Sequence, residues 1–174
     1  MIETLTRINE STVGNALLFN AFWFSACVGR DAFLPLTATL LLILLLCVKQ
    51  RQPTLQLASK VAIVGLLADA TLSHSEVYQF TGGDLLPTWL ILLWIGFASI
   101  ISRSLRFLNR NLGLAALFGA FGGPSSYFAG HRFGGVEFGY ELIPTLIIVG
   151  LVWACLLPLF FFLARQIFDD MQAS

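Results

Sequence analysis

The stretch Val61–Phe80, VAIVGLLADATLSHSEVYQF, decides how this chain folds. It opens like a membrane helix and then places Asp69, Thr71, Ser73, His74 and Glu76 in quick succession. Either it is a spanning helix with a carboxylate inside the bilayer, or its short apolar part is a re-entrant or buried segment. The rest of the chain arbitrates between the two.

Composition sets the class. The 174 residues are 57% hydrophobic and 11% charged, with a mean hydropathy of +0.81. A soluble domain carries about 25% charged residues, so this chain has too little charge to cover a water-exposed surface, and a polytopic membrane protein is expected. No linker or low-complexity tail divides it, which predicts one domain over residues 1–174. The net charge of zero offers no footprint for nucleic acid. Cys27, Cys47 and Cys155 are scattered in or near apolar runs without CxxC or ligand spacing. They read as inert buried thiols rather than metal ligands.

A spanning helix needs roughly 20 mostly apolar residues. Six candidate spans result, at about 12–29, 33–48, 61–80, 86–106, 112–130 and 142–163. With six spans, Arg7, Lys49, Arg51, Lys60, Arg103, Arg106, Arg110 and Arg165 fall on one side and only Arg30 and Arg132 on the other. Removing the third span turns eight against two into five against five. The positive-inside rule selects the first arrangement. The expectation is an all-α bundle of six transmembrane helices with both termini cytoplasmic, in the bacterial inner membrane. FSAC at 24–27 resembles a lipoprotein cleavage box, but Glu3, Glu10, Asn15 and Asn20 make a poor signal peptide, so a retained first helix is expected.

Asp69 lies eight residues past Val61, roughly 12 Å in from the cytoplasmic boundary on this count. Counting the other helices in the same way brings Asn20 and Ser99 near it, with Arg103 reaching from closer to the boundary. An intramembrane charge costs about 2.5–3.5 kcal/mol and usually faces a partner. The set Asp69, Asn20, Ser99 and Arg103 is therefore the expected buried polar layer. It is either a proton, ion or ligand site or glue between helices.

In LGLAALFGAFGGPSSYFAG, small residues recur at Ala115, Gly119 and Gly123, so a neighbouring helix can approach closely. Pro124 frees a carbonyl one turn earlier, which Ser125 and Ser126 are placed to satisfy. This reads as a packing helix or as an interrupted helix lining a cavity. Arg103, Arg106 and Arg110 share a helical face that sets topology or meets anionic lipid head groups. His74, Glu76, Asp84, His131, Glu137 and Glu141 gather at the opposite side without metal-ligand spacing. No nucleophile elbow, HExxH, P-loop or dinucleotide fingerprint occurs, so no catalytic residue and no cofactor are expected.

The ordered blocks FWFSACVG after Asn20, GLLAD at 65–69, LPTWLILLWIGFA at 86–98, LFGAFGGPSSYFAG at 117–130 and VWACLLPL at 152–159 resemble a family of small bacterial inner-membrane proteins known as domain of unknown function 2878. The resemblance covers nearly the whole chain. It implies a multi-pass protein without established activity, working around membrane-lipid modification or envelope stress beside a membrane-associated lipid-modifying enzyme. The functional expectation is a lipid-associated accessory protein whose partners are membrane lipids. The alternative is a small secondary transporter or proton-coupled channel using Asp69.

Overall fold

The computed structural model describes residues 1–173, with side chains through residue 169, and these are all-α apart from one small two-stranded antiparallel ladder. Seven α-helices follow in order: α1 Ile2–Glu10, α2 Thr12–Cys27, α3 Leu34–Leu46, α4 Arg51–His74, α5 Thr88–Ser102, α6 Leu112–Arg132 and α7 Leu142–Ala173. Short 3-10 turns at Arg30–Phe33 and Arg106–Arg110 join α2 to α3 and α5 to α6. By length and apolarity, α4 and the Leu142–Asp169 part of α7 are each sufficient to cross a membrane.

Local chemistry explains several of the boundaries. The Ser11 hydroxyl accepts from the Gly14 amide at 3.0 Å, and the Asn111 carboxamide accepts from the Leu114 amide at 3.0 Å. Each caps a helix whose first amides lack carbonyl partners. Pro35 occupies the first turn of α3, where its missing amide costs nothing. The chain ceases to be helical after His74. Residues 78–80 instead form strand β1, Tyr78–Phe80, paired antiparallel with β2, Val136–Phe138, in the register Tyr78↔Phe138. The period changes here from helical to alternating: Tyr78 and Phe80 turn inward while Gln79 faces out. The expected helix over 61–80 is thus corrected at both ends, since α4 begins at Arg51 and stops at His74.

Helices α2 to α7 run alternately up and down. At one end, Arg30 on the α2–α3 turn donates to the Gly134 carbonyl at 2.7 Å and to Thr81 at 3.1 Å, which places that turn beside both strands. At the other end, Glu10, Gln50, Arg103 and Phe168 line one small polar recess, so α1, the α3–α4 link, the α5 terminus and late α7 meet there. These are called below the sheet end and the α1 end. A continuous apolar core runs between them through Phe22, Leu44, Leu57, Val61, Ile101 and Phe160. The outward faces are apolar as well: Leu17, Ile63, Leu67, Phe121, Ile143, Ile147 and Leu151 are all more than half exposed.

The tightest pair is α6 with α7. A Cβ on Gly119 would lie 2.1 Å from the Trp153 carbonyl oxygen, and one on Gly123 would lie 2.2 Å from the Trp153 indole. α6 is continuous through Pro124, so the interrupted-helix reading of Gly119, Gly123, Pro124, Ser125 and Ser126 does not describe it. Ser125 donates to the Phe121 carbonyl at 2.7 Å, one turn back within the helix.

Candidate functional site

Asp69 is 1% exposed and both of its oxygens are occupied. The Tyr78 hydroxyl donates to Oδ1 at 2.6 Å, the Tyr127 hydroxyl also donates to Oδ1, and the Trp94 indole N–H donates to Oδ2 at 2.6 Å. Indole can only donate, and three donors converging on two oxygens match the acceptor chemistry of an ionised carboxylate. The knot joins α4, β1, α5 and α6.

Glycines make this approach possible. A Cβ on Gly65 would lie 2.2 Å from the Trp94 ring, so only glycine lets the indole lie against α4 one turn before Asp69. Trp94 in turn stacks on Trp153 at 5.3 Å between centroids, and Trp153 rests on Gly123, one turn before Tyr127. Gly65 with Asp69 on α4 and Gly123 with Tyr127 on α6 therefore repeat one device: a glycine that seats an indole, followed four residues later by a member of the knot.

None of the companions expected for Asp69 bonds to it. Depth counted from Val61 used the wrong origin. From Arg51, where α4 begins, Asp69 is eighteen residues in, roughly 27 Å along the helix and close to the sheet end. Ser99 and Arg103 lie at the far end of α5. The expected layer of Asp69, Asn20, Ser99 and Arg103 thus separates into three places.

Ser99 belongs to a buried amide relay at the α1 end. Asn15 Nδ2 donates to Asn9 Oδ1 and to Ser99 Oγ, both at 2.8 Å, while Ser104 donates to Asn15 Oδ1 at 2.7 Å. Asn9 Nδ2 faces the carbonyls of Ile43, Leu44 and Cys47 at 3.1, 3.1 and 3.2 Å. These carbonyls lie in and just past the last turn of α3, where intrahelical amide partners run out, although Ile43 also accepts from the Cys47 amide at 3.1 Å. The relay stitches α1, α2, α3 and α5 together.

Arg103 is buried beside this relay. Its Nε lies 3.5 Å from Glu10 Oε1, and its guanidinium donates to Thr54 at 3.3 Å and to Ser102 at 3.0 Å. α5 ends at Ser102, so Arg103, Arg106 and Arg110 do not share one helical face. Arg106 and Arg110 are exposed on the 3-10 turn, whereas Arg103 points inward. That corrects the expected three-arginine lipid contact. With Glu10, Gln50 and Arg106, Arg103 lines a polar recess of about 110 Å³.

Asn20 faces neither network. It is exposed in the middle of α2, donates to the Ala16 carbonyl at 2.8 Å, and lines an opening in the side of the bundle. This is a cleft of about 490 Å³ between α2 and α6, two helices that do not pack closely on each other. It extends from Phe80 and Val136 at the sheet end to Leu105 near the α1 end. Exposed Phe24, Phe118, Gly122 and Ser125 mark its open side. All four tryptophans of the chain line it, and Trp23 bridges it by donating to Ser126 at 3.1 Å. Its back wall contains Trp94 and Tyr127, two of the three donors that hold Asp69.

Sequence reasoning missed Tyr78, Trp94, Tyr127 and the cleft. One signal was present. Gly65 and Asp69 are four apart on one face, and a tryptophan pressed against such a glycine needs a partner for its N–H. At the sheet end, His131 stacks on Phe138 at 4.3 Å and bonds the Val136 carbonyl at 2.9 Å. Among the described residues no group of three or more His, Cys, Asp or Glu side chains is placed to hold a metal.

No curated protein and no solved structure was found to match the chain. A family model does match, over residues 12–159, which include α2 to α6, the strand pair, the Asp69 knot and the whole cleft. The chain belongs to the family described as protein of unknown function DUF2878.

Proposed function

We propose that this chain is a six-span protein of the bacterial cytoplasmic membrane that holds a lipid chain in the cleft between α2 and α6, as an accessory to lipid metabolism or modification. The cleft is the observation that carries this reading. At about 490 Å³ it falls within the range of small-molecule sites, and its wall is aromatic and aliphatic with a few polar groups. It opens sideways, between helices whose outward faces are apolar, so hydrocarbon enters from the bilayer rather than from water. Apolar exposure on this scale marks a membrane-facing surface. The up-and-down course of α2 to α7 and the eight-against-two distribution of basic residues support six spans, with the α1 end cytoplasmic.

The knot around Asp69 supports a clasp rather than a relay. Its oxygens already accept three hydrogen bonds, and the side chain meets no solvent path. Two of its three aromatic donors, Trp94 and Tyr127, also shape the cleft wall, so the clasp fixes the geometry of the site.

The test is lipid retention. The chain is purified in detergent and the lipid that resists exchange is quantified by mass spectrometry. Wild type is expected to keep bound lipid. Gly122→Trp, at a position where a new side chain meets open space in the cleft, is expected to lose it without a lower melting temperature. Equal retention by both proteins overturns the reading.

A further inference from the structure

The polar groups in this cleft specify more than a hydrocarbon chain. Asn20 sits halfway along α2, exposed, and uses one N–H on its own helix. Among the described residues its Oδ1 and second N–H meet no partner. One turn further along α2, Trp23 donates to Ser126 Oγ, and the Ser126 hydroxyl hydrogen is given to no acceptor among the described residues. The cleft therefore presents an open acceptor and two open donors at mid-depth. In a bilayer no water reaches that level, and a carboxamide facing hydrocarbon without a partner is costly.

We infer that the occupant carries a hydroxyl group held at mid-depth by Asn20 and Ser126, and is a single-chain or isoprenoid alcohol. This rests on the cleft being a lipid site. A hydroxyl both donates and accepts, so one such group satisfies Asn20 Oδ1 and takes the Ser126 hydrogen together. A phospholipid does not fit, because its ester and phosphate oxygens stay at the membrane surface while only its tails reach the level of Asn20. The Trp23 indole N–H occupies one acceptor lone pair of Ser126 Oγ and leaves the hydroxyl hydrogen free to donate.

All four tryptophans line the cleft, so their intrinsic fluorescence reports its occupancy. The full chain is placed in nanodiscs of phosphatidylethanolamine and phosphatidylglycerol and titrated with hexadecanol and, separately, hexadecane at equal mole fraction in the membrane. Hexadecanol is expected to bind about tenfold more tightly, the scale of one or two net hydrogen bonds. Asn20→Leu and Ser126→Ala are each expected to reduce that preference at least about threefold; Asn20→Leu leaves the melting temperature unchanged, whereas Ser126→Ala also lowers it because the Trp23 N–H loses its acceptor. Equal binding of the two probes to wild type overturns the alcohol assignment and leaves the lipid-chain reading standing. Binding of neither probe overturns both. A preference that survives both substitutions overturns the role of these two residues.

Discussion

The indoles of Trp94 and Trp153 stack at 5.3 Å with 17° between their planes, and each lies on a glycine of a neighbouring helix. Four helices thereby meet through two rings: Gly65 of α4, Trp94 of α5, Trp153 of α7 and Gly123 of α6. The stack lines the cleft on one side and delivers the Trp94 N–H to Asp69. Packing, the buried carboxyl group and the proposed ligand site are thus one construction.

Asp69 is expected to act through stability. Asp69→Asn keeps an acceptor for one side of the knot but turns an N–H₂ group toward donors on the other. A loss of about 1–3 kcal/mol is expected, given that hydrogen bonds between membrane helices contribute modestly each. Trp94→Phe added to Asp69→Ala should cost less than it does alone, because its acceptor is already gone. Unfolding in detergent followed by circular dichroism measures both. An Asp69→Asn protein as stable as wild type would show that the knot does not hold the bundle.

Glycine positions on α6 should divide sharply. Gly119→Ala would push a methyl group into the Trp153 backbone, and a loss of about 1–3 kcal/mol is expected for such overpacking. Gly122→Ala meets nothing within 4 Å and should stay within about 0.5 kcal/mol of wild type. Paired thermal melts of the two variants check the contrast.

The two asparagines of α2 should also behave in opposite ways. Asn15→Leu strands Asn9, Ser99 and Ser104 in a buried space, at an expected cost of about 1–3 kcal/mol. Asn20→Leu removes a group that faces the open cleft and is expected to leave stability within about 0.5 kcal/mol. Its effect belongs in the binding measurement. A destabilised Asn20→Leu protein would place Asn20 in the packing rather than in the cleft wall.

Glu10 and Arg103 form a partly shielded ion pair, with side chains 29% and 8% exposed. Glu10→Gln leaves Arg103 Nε in a buried position without a hydrogen bond or a counter-charge. An intermediate cost of about 1–3 kcal/mol is expected, between the small value of surface pairs and the larger value of broken buried ones. Arg103→Met in the Glu10→Gln background should recover part of it, and a double-mutant cycle reads the coupling. Additive losses would show that the pair contributes nothing of its own.

Much of the architecture was legible because it depends on composition and period. The apolar runs located α2, α3, α5 and α6 to within a few residues, and the Gly119–Gly123 spacing identified a face made for close approach. The exception was the region on both sides of Val61. Hydropathy does not register the polar first turns of α4, so the helix appeared ten residues too short at its start. Its continuation to Phe80 ignored the alternation in Tyr78, Gln79 and Phe80. That error in origin placed Asp69 among Asn20, Ser99 and Arg103, although it lies near the sheet end.

What the sequence determined by itself is the six apolar segments found in α2 to α7, the asymmetry of their basic ends, the small-residue face and the presence of one carboxylate in an apolar helix. These follow from local composition, which each segment carries alone. Partners were decided only by the tertiary structure. Tyr78, Trp94 and Tyr127 come from three separate elements, and nothing local to any of them indicates that their hydroxyls and N–H converge on Asp69. The cleft is still less local, since it exists because α2 and α6 are held apart by the helices behind them. A space between elements has no residues of its own in the sequence, so only the packing reveals it.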